Sequence, residues 1–185
     1  MASPLADFQG DAIYVDTNVL VGLVDANSVY HLACAPCFQR AVDPARPIQL
    51  FTATLTLDEV VFVLLQELVA RDPYRIVRNR SQYLRDHPDV VRTLMEQVDP
   101  LAAALCDLVT LEPVTATDIR QMRHEMHTSG ILPRDAIHLA VMQRLGLTAI
   151  ASDDEGFDNH QGLDLSCCST GGSATCLTGA KGLAV

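Results

Sequence analysis

The 185-residue sequence predicts an α/β fold, a three-layer α/β/α sandwich around a mainly parallel central sheet. Short apolar runs alternate with helical patterns along most of the chain, and such alternation builds parallel βαβ units. Hydrophobic residues make up 49% of the chain and charged ones 19%, which suits one compact domain rather than a coiled coil or a disordered chain. The first apolar run, Ile13 to Asp16, ends in a carboxylate that leads directly into a helical pattern.

That first strand is followed by a helix from Thr17 to about Val24. Tyr30 to Val42 continues in helical pattern, with Pro36 as an expected interruption, until Pro44 and Pro47 break it. Ile48 to Ala53 reads as the second strand. Leu55 to Ala70 is long, apolar and free of Gly and Pro, so it predicts a mostly buried helix. Thr56 and Glu59 have capping-box spacing at its start, with Leu55 and Val60 placed as a hydrophobic staple. Arg71 to Leu108 predicts two helices split near His87 and Pro88, and Leu108 to Glu112 a third strand. Thr115 to Thr128 reads as a polar helix ended by Gly130. Pro133 opens a helix that runs to Leu145 and stops at Gly146. Leu147 to Ser152 is the last strand of this series, followed by the acidic turn Asp153, Asp154, Glu155, Gly156. Residues 1–11 read as an N-terminal extension, 12–165 as the body, and 166–185 as a low-complexity tail expected to be disordered.

Thirteen basic against 23 acidic residues give a net charge of −10, which argues against nucleic-acid binding by uniform positive charge. The distribution is uneven: Arg71, Arg75, Arg78, Arg80, Arg85 and Arg92 fall in one stretch with only Asp72, Asp86 and Asp89 as acids. The chain has no signal-peptide pattern and no long apolar span, so the expectation is a cytoplasmic protein that does not enter a membrane. Six cysteines are too sparse for a disulfide framework and are expected to be reduced. Cys34 and Cys37 have C-x-x-C spacing, but no second pair follows at zinc-finger distance.

Four carboxylate positions share a context. Asp16 closes the first strand, Glu59 opens a helix, Asp135 opens another, and Asp153 or Asp154 follows the last strand. In parallel α/β folds such positions line a crevice at the carboxyl ends of the strands. Gathered carboxylates oppose one another's ionisation unless a cation lies among them, and Mg²⁺ or Mn²⁺ prefers oxygen donors of this kind. Each acid also has a structural role available: Glu59 in the capping box, Asp135 against the helix dipole, Asp153 and Asp154 as turn residues, Asp16 as an N-cap. His138, one turn after Asp135, reads as packed or hydrogen-bonded.

The segments YVDTNVL (14–20), TLDEVVF (56–62), LPRDAIHLAVM (132–142) and AIASDDEGFD (149–158) together resemble the PIN-domain nucleases, most of all the VapC-type toxin ribonucleases. The resemblance covers about residues 12–165 and makes this a PIN-like nuclease domain with a helical insertion at about 71–105. It implies metal-binding and catalytic roles for Asp16, Glu59, Asp135 and a fourth acid, aligned first with Asp154 and alternatively with Asp153. Asn18 and Ser152 match polar positions that support these carboxylates. The implied activity is Mg²⁺- or Mn²⁺-dependent endonucleolytic cleavage of RNA, leaving 5′-phosphate and 3′-hydroxyl ends. A small antitoxin protein and a homodimer are the implied partners. Arg71, Arg75, Arg78 and Arg80 are candidates to contact RNA phosphates.

Competing readings are weaker. A phosphatase with Asp16 as nucleophile would want a second Asp where Asn18 stands, and a phospho-receiver would need a lysine near the acids, whereas the sole lysine is Lys181. A stand-alone RNA-processing nuclease of the same family, or a non-catalytic PIN-like interaction module, are the alternatives.

Overall fold

The computed structural model of the chain describes residues 3–45, 47–71, 77–157 and 164–167. Six strands form one sheet: β1 (Ser3–Pro4), β2 (Ala12–Val15), β3 (Gln49–Ala53), β4 (Thr110–Glu112), β5 (Ala149–Ala151) and β6 (Asp164–Cys167). Their order is β1-β6-β5-β2-β3-β4, and every pairing in it is parallel. Tyr14 lies opposite both Phe51 of β3 and Ile150 of β5, so β2 runs down the middle of the sheet. From β2 the chain winds outward through β3 and β4, then returns to β5 on the other side. The gap between β2 and β5 is therefore the topological switch point, where crevices open at the strands' carboxyl ends.

Side-chain alternation in β2 divides the core. Ile13 and Val15 face a cluster with Val19 and Leu20 of α1 (Thr17–Val24), Val60 and Leu64 of α3 (Thr54–Arg71), and Val98 and Leu105 of α5 (Pro88–Leu108). Tyr14 faces the opposite layer, with Leu139 and Met142 of α7 (Pro133–Leu145), Ile150 and Phe157. Helices on both faces explain why the strands read as continuous apolar runs. The remaining helices are α2 (His31–Ala41), α4 (Arg80–Asp86) and α6 (Ala116–Ser129).

Several expectations change. Pro36 lies inside α2 without ending it. The helix expected from Leu55 begins at Thr54, so Thr56 lies in its first turn, fully buried, and cannot serve as an N-cap. The capping box forms instead at Thr115 and Asp118, where the Thr115 hydroxyl and the Asp118 carboxylate each meet the other's backbone N–H. The N-terminal segment, expected as an extension, adds β1 beside β6 and buries Leu5 and Phe8 in the main cluster. Ser166, counted with the tail in the sequence reading, pairs with Ala151 in the sheet and is buried; residues 168–185 lie outside the described residues. Cys34, Cys37 and Cys106 are not joined in disulfides. Cys34 packs where α1 and α2 meet closely, since a Cβ on Gly22 would stand 2.8 Å from its sulfur. Among the described residues, no helix is long and apolar enough to cross a membrane.

Candidate active site

The chain leaves β2 through Asp16, whose backbone N–H still bonds the Ala151 carbonyl of β5 at 3.0 Å. Asp16 then turns extended backbone into α1 as its N-cap, accepting from the Thr17 N–H at 2.7 Å. Its other carboxylate oxygen accepts from the Ser152 hydroxyl at 2.8 Å. The side chain is thus buried yet bonded on both oxygens, and its direction is fixed by the ends of two neighbouring strands.

Ser152 does two jobs. Its hydroxyl oxygen also accepts from the Asp154 N–H at 3.0 Å, which sets the turn after β5. Asp154 in turn accepts from the Gly156 N–H at 2.8 Å. A Cβ at Gly156 would meet Asp135 Oδ2 at 3.0 Å and Asp154 Oδ1 at 3.2 Å, so both carboxylates border the same small space. Glu59, projecting from the first turns of α3, accepts from the Thr17 hydroxyl at 3.0 Å and pairs with the Arg134 guanidinium. Four elements therefore bring Asp16, Glu59, Asp135 and Asp154 to one crevice at the switch point.

The crevice's charges bear on Asp135. Burial pushes the Asp135 carboxyl up from 3.8 to about 6, and the charges of Asp154, Asp16 and Glu59 add to the displacement. From that turn, the charge of Asp154 acts on Asp135. Below the crevice, Tyr14 accepts from the Ala53 N–H at 3.0 Å and lies 2.9 Å from His138 Nδ1. Burial pushes the Tyr14 phenol up to about 12 and pushes the His138 imidazolium down. Both groups are therefore neutral near pH 7. With the phenol as donor, Nδ1 accepts and the imidazole proton sits on Nε2, which faces Asp16 Oδ1 at 3.8 Å.

The oxygen-only donor set fits a hard divalent cation. Among the described residues, no three His, Cys, Asp or Glu side chains already close into a metal cage. An open crevice of this kind suits Mg²⁺, which keeps several waters and takes few carboxylates. Asn18 is half-buried in the first turn of α1, and the hydrogen bonds that orient the acids come from Thr17 and Ser152. Thr17, Tyr14 and Arg134 were not singled out from sequence. Thr17 and Arg134 adjoin Asp16 and Asp135 in the first turns of α1 and α7, whereas Tyr14 joins the site from β2 through His138.

Of the arginines expected to meet RNA, Arg71 is engaged by Asp25 and by Glu67 at 2.8 Å. It lies about 18 Å along α3 from Glu59. Arg78 and Arg80 are exposed, and Arg75 lies outside the described residues.

Among curated proteins, none matches the sequence. The solved structure of the Mycobacterium tuberculosis toxin VapC20, described as cleaving the sarcin-ricin loop, is similar in fold, with TM-score 0.54 and 19% identity over 83% of this chain and 98% of that one. VapBC2 from Rickettsia felis, solved bound to a DNA fragment from its promoter, gives TM-score 0.52 and 12% identity over 84% of this chain and 98% of the matched one. A family model described as PIN domain matches residues 13–163. Because that match covers most of the sequence and takes in every element delivering an acid to the crevice, the chain belongs to the PIN-domain family.

Proposed function

We propose that the protein is a metal-dependent endoribonuclease of the VapC kind, the toxin of a toxin–antitoxin pair. The observation that carries this reading is the acid cluster: Asp135 and Asp154 border one small space, Thr17 and Ser152 aim Asp16 and Glu59 at the same crevice, and burial with these charges pushes the Asp135 carboxyl up to about 6. A site built only for stability would have given Asp135 a cationic partner, as Arg134 is given to Glu59. When bound, Mg²⁺ or Mn²⁺ would offset the negative charge, acidify a water for attack on a phosphodiester and stabilise the developing oxyanion.

Asp16, Asp135 and Asp154 are the proposed metal ligands, with Glu59 completing the acid set and Asp153 as the alternative fourth acid. Thr17 and Ser152 fix the two Asp16 oxygens, and a rigid donor pair of this type limits the carboxylate to one orientation. The Thr17 hydroxyl ties Glu59 to the same helix end that Asp16 caps. Neutral His138 presents an N–H toward Asp16 at 3.8 Å without adding a positive charge. Arg134, exposed and paired with Glu59, would meet an incoming phosphate. The small antitoxin implied by the resemblance would seat a basic side chain against the same carboxylates.

The test is cleavage of mixed RNA by the purified chain in Mg²⁺ or Mn²⁺, beside EDTA and Asp16→Asn controls. Cleavage lost in both controls supports the reading. No cleavage together with no metal binding by calorimetry would overturn it in favour of a non-catalytic module.

A further inference from the structure

The chain's net charge is −10, yet the outward face of α6 is positive. Arg120, Arg123, His124 and His127 are all exposed, and their spacing of three, four and seven residues lines them along one stripe. The two acids of this helix are absent from that face. Asp118 is buried beneath it, taking the Arg144 Nε–H at 3.0 Å and closing the capping box with Thr115. Glu125 is also buried and accepts from Gln121 at 2.8 Å and Gln143 at 2.9 Å. The helix therefore sorts its charges, with carboxylates turned toward α7 and cations toward water.

We propose that this stripe is the docking surface for the sugar-phosphate backbone of the RNA substrate, leading it into the acidic crevice. The proposal rests on the ribonuclease reading of that crevice. From Arg120 to His127 the helix rises about 10.5 Å, the span of about three phosphates at 3.4 Å per nucleotide along a strand axis. Guanidinium groups bind phosphate oxygens in a two-pronged geometry, and exposed histidines add ring N–H donors. At its C-terminal end the stripe turns through Gly130, at φ +70°, and the short 130–132 link returns the chain to the first turn of α7. There exposed Arg134 continues the positive path to Asp135 and Glu59. An acidic strand of nucleic acid needs such a path, because the crevice itself repels phosphate.

The experiment measures binding of a short, fluorescent, mixed-sequence single-stranded RNA in EDTA, by anisotropy over a series of salt concentrations. For single strands each lost phosphate contact lowers the slope of log K against log salt by about 0.7, so Arg120→Ala with Arg123→Ala flattens it by about 1.4. The charge-preserving pair Arg120→Lys and Arg123→Lys keeps the slope; a Lys pair as impaired as the Ala pair would overturn the electrostatic role. An unchanged slope in the Ala pair overturns the proposal and leaves the face to an acidic protein partner, while metal-dependent cleavage by the parent keeps the nuclease reading standing. A slope that responds to Arg78→Ala with Arg80→Ala, and not to the α6 pair, overturns it as well. A parent that neither binds nor cleaves RNA overturns both readings together.

Discussion

Replacing Asp135 by Asn should stabilise the metal-free protein, the opposite of what loss of a native side chain usually does. In the fold this carboxyl is displaced from 3.8 to about 6 by burial and by Asp154, Asp16 and Glu59. A carboxyl whose folded pKa is raised binds its proton more tightly in the native state than in the unfolded one. Stability then falls as pH rises from about 4 to about 6, and the full cost is present above that window. The displacement corresponds to about 3 kcal/mol at one pH unit per 1.36 kcal/mol, and solvent screening of a half-buried group reduces this to about 1–2 kcal/mol. Asn removes the charge while keeping the shape. For a chain of this size the melting temperature at pH 7.5 in EDTA should rise by roughly 2–8 °C, and the gain should vanish below about pH 4. Thermal unfolding followed by circular dichroism across pH measures both. An Asn variant no more stable than the parent at pH 7.5, or a gain that persists undiminished at low pH, would refute the claim that the acids strain one another.

The other expectations concern neighbouring groups. Arg134→Gln frees Glu59 from an exposed ion pair worth about 0.2–1 kcal/mol, so Mn²⁺ binding measured by calorimetry should tighten by roughly 1.4- to 5-fold; unchanged or weaker binding counts against competition between arginine and metal. Tyr14→Phe leaves the buried Ala53 N–H and His138 Nδ1 without their partner and should cost about 1–3 kcal/mol in urea unfolding, and a loss below about 0.5 kcal/mol would mean that the pocket admits water. Gly156→Ala places a methyl group against the Asp135 and Asp154 oxygens, which must yield by a few tenths of an ångström; RNA cleavage should fall several-fold, roughly in keeping with the sensitivity of catalysis to ångström displacements, while the melting temperature stays near the parent's. Burial alone would raise the Asp25 carboxyl, but hydrogen bonds from Arg71 and the Asn27 N–H outweigh it and hold the group at about 2. A depressed carboxyl contributes stability above about pH 4 that is lost as pH falls through 2, so the stability gap between parent and Asp25→Asn should close over that acid window in chemical unfolding.

What could be read from sequence follows the range of the forces involved. Helix α7 runs from Pro133 to Leu145, as the Pro at its first position and the Gly after its last imply, and Gly146 takes the left-handed backbone, at φ +70°, that makes glycine the stop. The four acids were recognisable because each adjoins the end of a strand or the start of a helix, and those boundaries are set locally. Glu59 shows the limit. Its spacing from Thr56 is that of a capping box, but one earlier residue in helical conformation, Thr54, moves the true helix start and releases Glu59 to Thr17 and Arg134. The two-residue strand Ser3–Pro4 has no periodicity to detect and exists only because β6 offers an edge. Which ring nitrogen of His138 carries the proton depends on Tyr14, 124 residues away, which no local pattern encodes.

A comparison among the acids of this one chain locates the chemistry better than any single residue does. Asp25 is buried and has Arg71; Asp118 is buried and has Arg144; Glu125 is buried and has two glutamine amides. Each of these pairings satisfies the carboxylate and fastens two helices or a helix and a loop. At the switch point the same residue type is treated differently. Asp16 receives only neutral donors, Thr17 N–H and the Ser152 hydroxyl, and the one arginine beside the crevice among the described contacts goes to Glu59. Asp135 is left with burial and three negative neighbours as the influences on its charge, all unfavourable. Since cationic partners are supplied to Asp25 and Asp118, their absence from Asp135 among the described residues is not a general shortage of arginine. It is the arrangement expected of a site whose missing positive charge arrives with a ligand, and binding that ligand would return the stability which the clustered carboxylates take away.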